Sequence, residues 1–219
     1  MAIVTPGRVG RFNGKIGDVV VAKYRDLIVG RSVPSKSTKP PTKKQLDQQM
    51  KFKVVNSFFG KMAKVTSKRY LSNGSLGGLN AAVRDHIETA LTGIYPNYQL
   101  DYTKVMLTKG NGELLAVSNP TLNALVGAQV EVSWEMRIKP GQVLDLVDPK
   151  DRVSIILHNV TKGKNILYFD TAERNALTYT ADLPWSFVGD QVHAYLFFTS
   201  VDEQHVSDSE YVGSFTVMD

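Results

Sequence analysis

The residues from which this chain would have to build chemistry are few and scattered. Gly10 to Lys15 reads G-x-x-x-G-K. A phosphate loop needs four residues between its glycines, so that backbone amides wrap the phosphate, and Ser or Thr after the lysine to hold magnesium. Here three residues intervene and Ile16 follows, so the stretch reads as a turn. His86, His158, His193 and His205 stand apart, none in H-x-x-x-H or beside a glutamate at ligand spacing. They read as packing or surface residues, and no structural zinc site is expected. Asp145, Asp148 and Asp151 recur every three residues in LDLVDPKD. A calcium loop alternates D-x-D-x-D-G, and Pro149 favours a plain turn, which leaves calcium as the weaker reading. No G-x-S-x-G occurs, and no carboxylate pair stands out for acid–base work. The chain is therefore expected to be non-enzymatic, with no cofactor and no metal.

Composition narrows the field further. With no cysteine, disulfides, thiol nucleophiles and cysteine-held zinc are excluded, and the redox compartment is left open. The opening MAIVTPGRVGRFNGK lacks the apolar stretch of a secretory leader. Three histories stay open: cytoplasmic as made, released with a particle, or a mature form with its leader removed. No apolar run reaches the roughly 18 residues that a membrane helix requires. Charge is the most uneven property. Residues 1–70 carry 16 Lys/Arg against 3 Asp/Glu, and residues 71–219 carry 10 against 18, a +13/−8 split. Such asymmetry suits an acidic partner for the first segment: other copies of the chain, an acidic protein surface, or nucleic acid. The candidate contact residues are Arg11, Lys15, Lys23, Arg25, Arg31, Lys36, Lys39, Lys43 and Lys44. A solvated basic face is the bland alternative.

The elements that must position these residues follow from pattern. Residues 1–6 read as an arm or edge strand, and Asn13-Gly14 as a tight reversal before Lys15. Alternation from Asp18 to Val33, broken at Arg25-Asp26, predicts an antiparallel hairpin. Two strands alone are marginal in water, so this hairpin must lie on something else. Pro34 to Pro41 is an extended connector. Thr42 with Gln45 forms a capping box, and Leu46, Met50, Val54, Phe58 and Met62, flanked by Val55, Phe59 and Val65, predict an amphipathic helix to about residue 65. Phe52, Phe58 and Phe59 are assigned to the core. Gly60 weakens that helix, which suggests a close neighbour. Leu79, Val83, Ile87, Ala90, Leu91 and Ile94 predict a second helix ended by Gly93 and Pro96. Beyond Asn97 the period drops to two. Strands are expected at 104–109, 113–117, 129–136, 152–159, 164–169, 177–180, 191–199 and 210–217, with Asn119-Pro120 among the turns. The strand QVHAYLFF from Gln191 should be central, and Trp134 and Trp185 core or corner aromatics. The expected fold class is α+β: an N-terminal hairpin and two-helix segment (residues 1–97), then an immunoglobulin- or fibronectin-III-like β-sandwich (98–219).

Several stretches are distinctive together: G-x-F-N-G-K-I-G-D-V-V (Gly10–Val20), R-S-V-P (Arg31–Pro34) and P-P-T-K-K-Q-L (Pro40–Leu46) near the start. Near the end stand G-D-Q-V-H-A-Y-L-F-F-T-S-V-D (Gly189–Asp202) and V-S-D-S-E-Y-V-G (Val206–Gly213). The chain resembles an uncharacterised family common in Bacteroidota genomes, with Asn13 where serine is usual and Asp18 where asparagine is usual. The resemblance implies a shared architecture and transfers no site residue. Two functional classes then compete. One is a structural, self-assembling subunit of virion, tail, filament or surface-fibre type, working through the basic N-terminal hairpin and connector. The other is a binding module for glycan, protein or, through the basic helix, nucleic acid without sequence preference.

Overall fold

The computed structural model describes residues 2–3, 13–24, 27–35, 39–72, 76–136 and 148–219. The chain divides into two compact units, Met1–Thr42 and Lys43–Asp219. The division falls ahead of the helices rather than near residue 97, because the helices share a core with the sandwich.

The first unit is a four-stranded antiparallel sheet in the order β1-β4-β3-β2. Its strands are β1 (Ala2–Ile3), β2 (Gly14–Ile16), β3 (Val19–Tyr24) and β4 (Leu27–Ser32). The expected hairpin is β3–β4, and a short strand is added on each side of it. The reversal sits at Gly17-Asp18 instead of Asn13-Gly14, with Gly17 at φ +56° and Gly14 opening β2. Gly17 supplies the positive φ that a side chain resists. The Val33 N–H donates to the Asp18 carbonyl at 2.8 Å and closes the far end. The turn expected at Arg25-Asp26 lies outside the described residues.

The second unit opens with α1 (Lys43–Lys61), directly after Thr42 as the capping pattern places it, then α2 (Ala63–Arg69) and α3 (Gly78–Thr89). The second helix is shorter than expected. Leu91–Ile94 (β5) pairs instead with Asn97–Leu100 (β6) in a hairpin, because the Leu91/Ile94 spacing fits a helix while Gly93 and Pro96 turn the chain. Seven longer strands follow: β7 (Ser118–Leu125), β8 (Gln129–Glu135), β9 (Arg152–Asn159), β10 (Lys164–Glu173), β11 (Thr178–Asp182), β12 (Gln191–Thr199) and β13 (Glu210–Thr216). They form sheets in the orders β10-β9-β12-β13 and β11-β8-β7. Labelled A, B, C, C′, E, F and G, they put A, B and E opposite C, C′, F and G, the order of a fibronectin-III-like sandwich.

Two stretches depart from the expected strands. Residues 105–109 follow a 3-10 turn (Tyr102–Lys104), and the middle three give their amides to side chains: Met106 N–H donates to His86 Nε2 at 2.8 Å, and Leu107 and Thr108 N–H to Ser209 Oγ at 2.7 and 3.2 Å. Residues 113–117 form no strand, and Pro120 lies inside β7, where the ladder slips between Ser118 and Thr121. β7 is an edge strand, which is where a residue without an N–H is tolerated.

Alternation along the middle sheet separates two cores. Val153, Ile155, Leu157, Ala194, Leu196 and Phe198 face the β11-β8-β7 sheet with Trp134, Val130 and Val132. Ile156, Tyr195 and Phe197 face the helices with Val55, Phe58, Phe59, Met62, Val65 and Val83. The unit thus has three layers: helices, middle sheet, outer sheet. Phe52, expected inside, is 51% exposed on the far side of α1, and Trp185 is 65% exposed in a corner turn.

Arg174 and Asp151 form a buried ion pair in the sandwich, 1% and 2% exposed, with Nη2 to Oδ2 at 3.1 Å. The guanidinium lies 3.8 Å from the centre of the Phe198 ring and donates to the Leu115 carbonyl at 3.1 Å. Among the described residues its Nε and Nη1 have no hydrogen-bond partner, so Asp151 is its main compensation. Asp151→Asn should cost about 3–5 kcal/mol, because an unpaired charge is left buried. Adding Arg174→Met should recover most of the loss in urea unfolding. Gly60 has nothing within 4 Å of where a Cβ would stand. No neighbour explains this glycine, and Gly60→Ala should stabilise the protein by up to about 1 kcal/mol in the same assay.

Candidate interaction surfaces

Pairing assigns the candidate basic residues to faces, since residues opposite one another across strands share a side of the sheet. Lys15, Val20 and Arg31 form one row across β2, β3 and β4. Lys23 pairs with Ile28 and lies on the opposite face, with Ile16, Val19 and Val21. The sheet therefore joins Lys15 to Arg31 and separates both from Lys23. Val21 and Gly30 alone are buried among this unit's described residues. Ile16 is 59%, Val19 46% and Leu27 48% exposed. Lys39 lies on the connector, while Lys43 and Lys44 open α1 in the second unit. Arg11, Arg25 and Lys36 lie outside the described residues. By unit, residues 1–42 carry eight Lys/Arg against two Asp/Glu and residues 43–219 carry 18 against 19. The basic character belongs to the first unit, because the lysines of α1 and α2 share a body with the acidic residues of the sandwich.

The helix–sheet junction holds a cluster that spacing along the chain conceals. His158 on β9 and His193 on β12 are paired in register and share the helix-facing side. Tyr102 covers both, its ring centre 5.4 Å from His158 and 4.5 Å from His193, and Phe58 meets His158 edge-on at 5.0 Å. His158 Nδ1 lies 2.6 Å from Asn165 Oδ1, and the Asn165 amide donates to the Lys61 carbonyl at the end of α1 at 3.2 Å. His193 Nδ1 lies 2.9 Å from the Tyr211 hydroxyl. The histidines thus help fasten the helical layer to the sheet. His86, on α3, works alike: its Nδ1 is 2.7 Å from the Ala82 carbonyl and its Nε2 accepts from the Met106 N–H at 2.8 Å. Those partners call for the neutral ring protonated at Nδ1. Beside the cluster, Val54, Phe58, Leu100, Tyr102 and Val160 line a mostly apolar cleft of about 380 Å³, with Ser57 and Gln99 at its rim. No group of three or more potential metal ligands occurs among the described residues. Asp148 accepts from the Lys150 N–H at 2.8 Å in a turn, and Asp151 is engaged by Arg174.

A clasp near the C-terminus accounts for the S-D-S motif. Ser209 Oγ takes the two amides of Leu107 and Thr108, Thr108 Oγ1 donates to the Ser207 carbonyl at 2.8 Å, and Gly110 N–H donates to Asp208 Oδ1 at 2.8 Å. A Cβ on Gly110 would collide with the Val206 carbonyl.

Residues 11–213 match the model of a family of unknown function (DUF6266). The chain belongs to this family. The match takes in most of the described N-terminal sheet, the helical layer, the sandwich and the serine clasp. No curated protein matches. Among solved structures, the fibronectin III domain of human collagen alpha-1(XX) chain is similar over 51% of this chain and 92% of its own, at 15% identity and a TM-score of 0.32. No helix among the described residues is long and apolar enough to cross a membrane.

Burial lowers the proton affinity of His86, His158 and His193 below the usual imidazole range. Their folded state binds fewer protons than the unfolded chain below about pH 6.5, so stability is complete above that pH and falls as the solution is acidified. The slope is at most about 1.4 kcal/mol per pH unit for each ring. Asp151 opposes this: burial raises it to about 6 from 3.8, and its contribution is lost as pH rises through that window. The rings and the carboxyl thus act in opposite directions across this window. In melts followed between pH 7 and 5, His158→Gln should lose less stability on acidification than the wild type.

Proposed function

We propose that the protein is a non-enzymatic structural subunit that self-assembles through its basic N-terminal unit, in the manner of virion, tail, filament or surface-fibre components. The observation behind this reading is the first unit's sheet. It exposes Ile16 and Val19 on one face and Leu27 on the other, and buries only Val21 and Gly30 among its described residues. A sheet needs a second layer to bury an apolar face. Its excess of eight basic over two acidic residues directs it toward an acidic partner.

The reading is tested by sedimentation and negative-stain imaging at low and physiological salt. The wild-type protein should form oligomers that grow with concentration, and Ile16→Ser with Leu27→Ser should shift them toward monomer. Monomers alone under every condition would refute it. The competing reading, a binding module for glycan, protein or nucleic acid, predicts a heparin or DNA mobility shift at about 50 mM salt that weakens steeply as salt rises.

A further inference from the structure

Resting on the assembly reading, we infer that the acceptor for the N-terminal sheet is the outer face of β11-β8-β7 on a second copy, together with the adjoining corner of its sandwich. That face is solvent-facing, with Asn123, Thr180 and Asp182 exposed and Gln129 and Glu131 partly so. Its rows run Asn123–Glu131–Thr180 and Leu125–Gln129–Asp182 across the three strands. None of the three strands contains a lysine or arginine. Among the described residues its carboxylates meet only neutral partners: Asp182 accepts from the Gln129 amide at 2.7 Å, Glu135 from the Asn119 amide at 2.8 Å, and Glu131 from the Thr178 hydroxyl at 3.5 Å. Elsewhere, Asp47, Asp85, Asp101 and Asp190 each have a lysine or arginine within 4.0 Å. The outer sheet therefore keeps negative charge that its own strands leave uncompensated.

An apolar patch adjoins this acidic face. Val126 follows Leu125 directly and is 72% exposed, and Trp185 stands three residues beyond Asp182 and is 65% exposed. The Leu183 N–H donates to the Ala128 carbonyl at 2.7 Å and holds these two corners together. An exposed tryptophan beside charge is the composition of an interface anchor. The N-terminal sheet offers the counterpart. Lys15 and Arg31 flank Val20 on one face, two strands or roughly 10 Å apart, while Glu131 and Asp182 are about 8 Å apart by strand geometry. Two N-terminal sheets facing each other would bring like charges together. A basic sheet on the acidic face of the next copy does the reverse, and it makes a head-to-tail contact of the kind that grows into rings or filaments.

Charge exchange between two variants tests this. One carries Lys15→Glu and Arg31→Glu, the other Glu131→Lys and Asp182→Lys, and circular dichroism confirms that each is folded. Each alone should sediment as monomer at physiological salt, and a 1:1 mixture should recover large assemblies in which the two alternate. Trp185→Ser should weaken wild-type assembly at least tenfold. Should the wild type assemble while the Glu131→Lys/Asp182→Lys variant assembles equally well, or the mixture stay monomeric, this docking face is wrong and self-assembly stands. A wild type that never assembles overturns both readings.

Discussion

The second unit depends on the burial of β9 and β12 from both sides. Each of these strands has a polar residue at its start and almost nothing exposed thereafter. Strands in that position cannot be left with one face in water. Ile156, Tyr195 and Phe197 on the helix side would otherwise be exposed together, at a cost of roughly 2 kcal/mol or more for each side chain. The helices before the sandwich are for this reason its third layer and not a separate domain. The same constraint explains the polar residues at the junction. His158 and His193 lie where the sheet's edge of cover meets the helix end, and each is matched by a hydrogen-bond partner, as buried polar groups require.

Much of this was legible in the chain, and unevenly so. The limits of β9 and β12 were clear because a strand covered on both faces contrasts sharply with its turns. The stripe from Val55 through Phe58, Phe59 and Met62 marked the buried side of α1, although Phe52, one step off that stripe, faces solvent. What period-two reading missed was wherever backbone amides find side chains instead of a ladder. Residues 105–109 alternate like a strand, yet His86 takes the Met106 amide and Ser209, a hundred residues away, takes those of Leu107 and Thr108. Pro120 marked a turn by composition and became an edge-strand bulge by position. The near-continuous apolar run of β12 already implied two covers, but nothing local said that the second would be helical.

The candidate contact residues show the same limit. Their placement on strands could be read from pattern, since Lys15, Lys23 and Arg31 sit in β-branched surroundings. Which of them act together is a matter of register, and register is set by pairs distant in sequence. His158 and His193, 35 positions apart and solitary in the sequence, become neighbours for the same reason. The charge asymmetry was visible but its boundary was not. Once α1 and α2 belong to the sandwich body, their lysines offset its acids, and what persists is a small basic sheet attached to a nearly neutral body.

The flaw in the β7 ladder has a wider consequence. Of the sandwich's four edge strands, β7 carries Pro120 and a register slip, and β10 slips between Tyr168 and Ala172 with Asp170 at φ +52°. An edge that lacks an amide or bends out of line is a poor template for another strand. Amyloid-like stacking, in which chains add rung by rung along open backbone, is obstructed at both. At high local concentration such sheets can lie against one another without fusing.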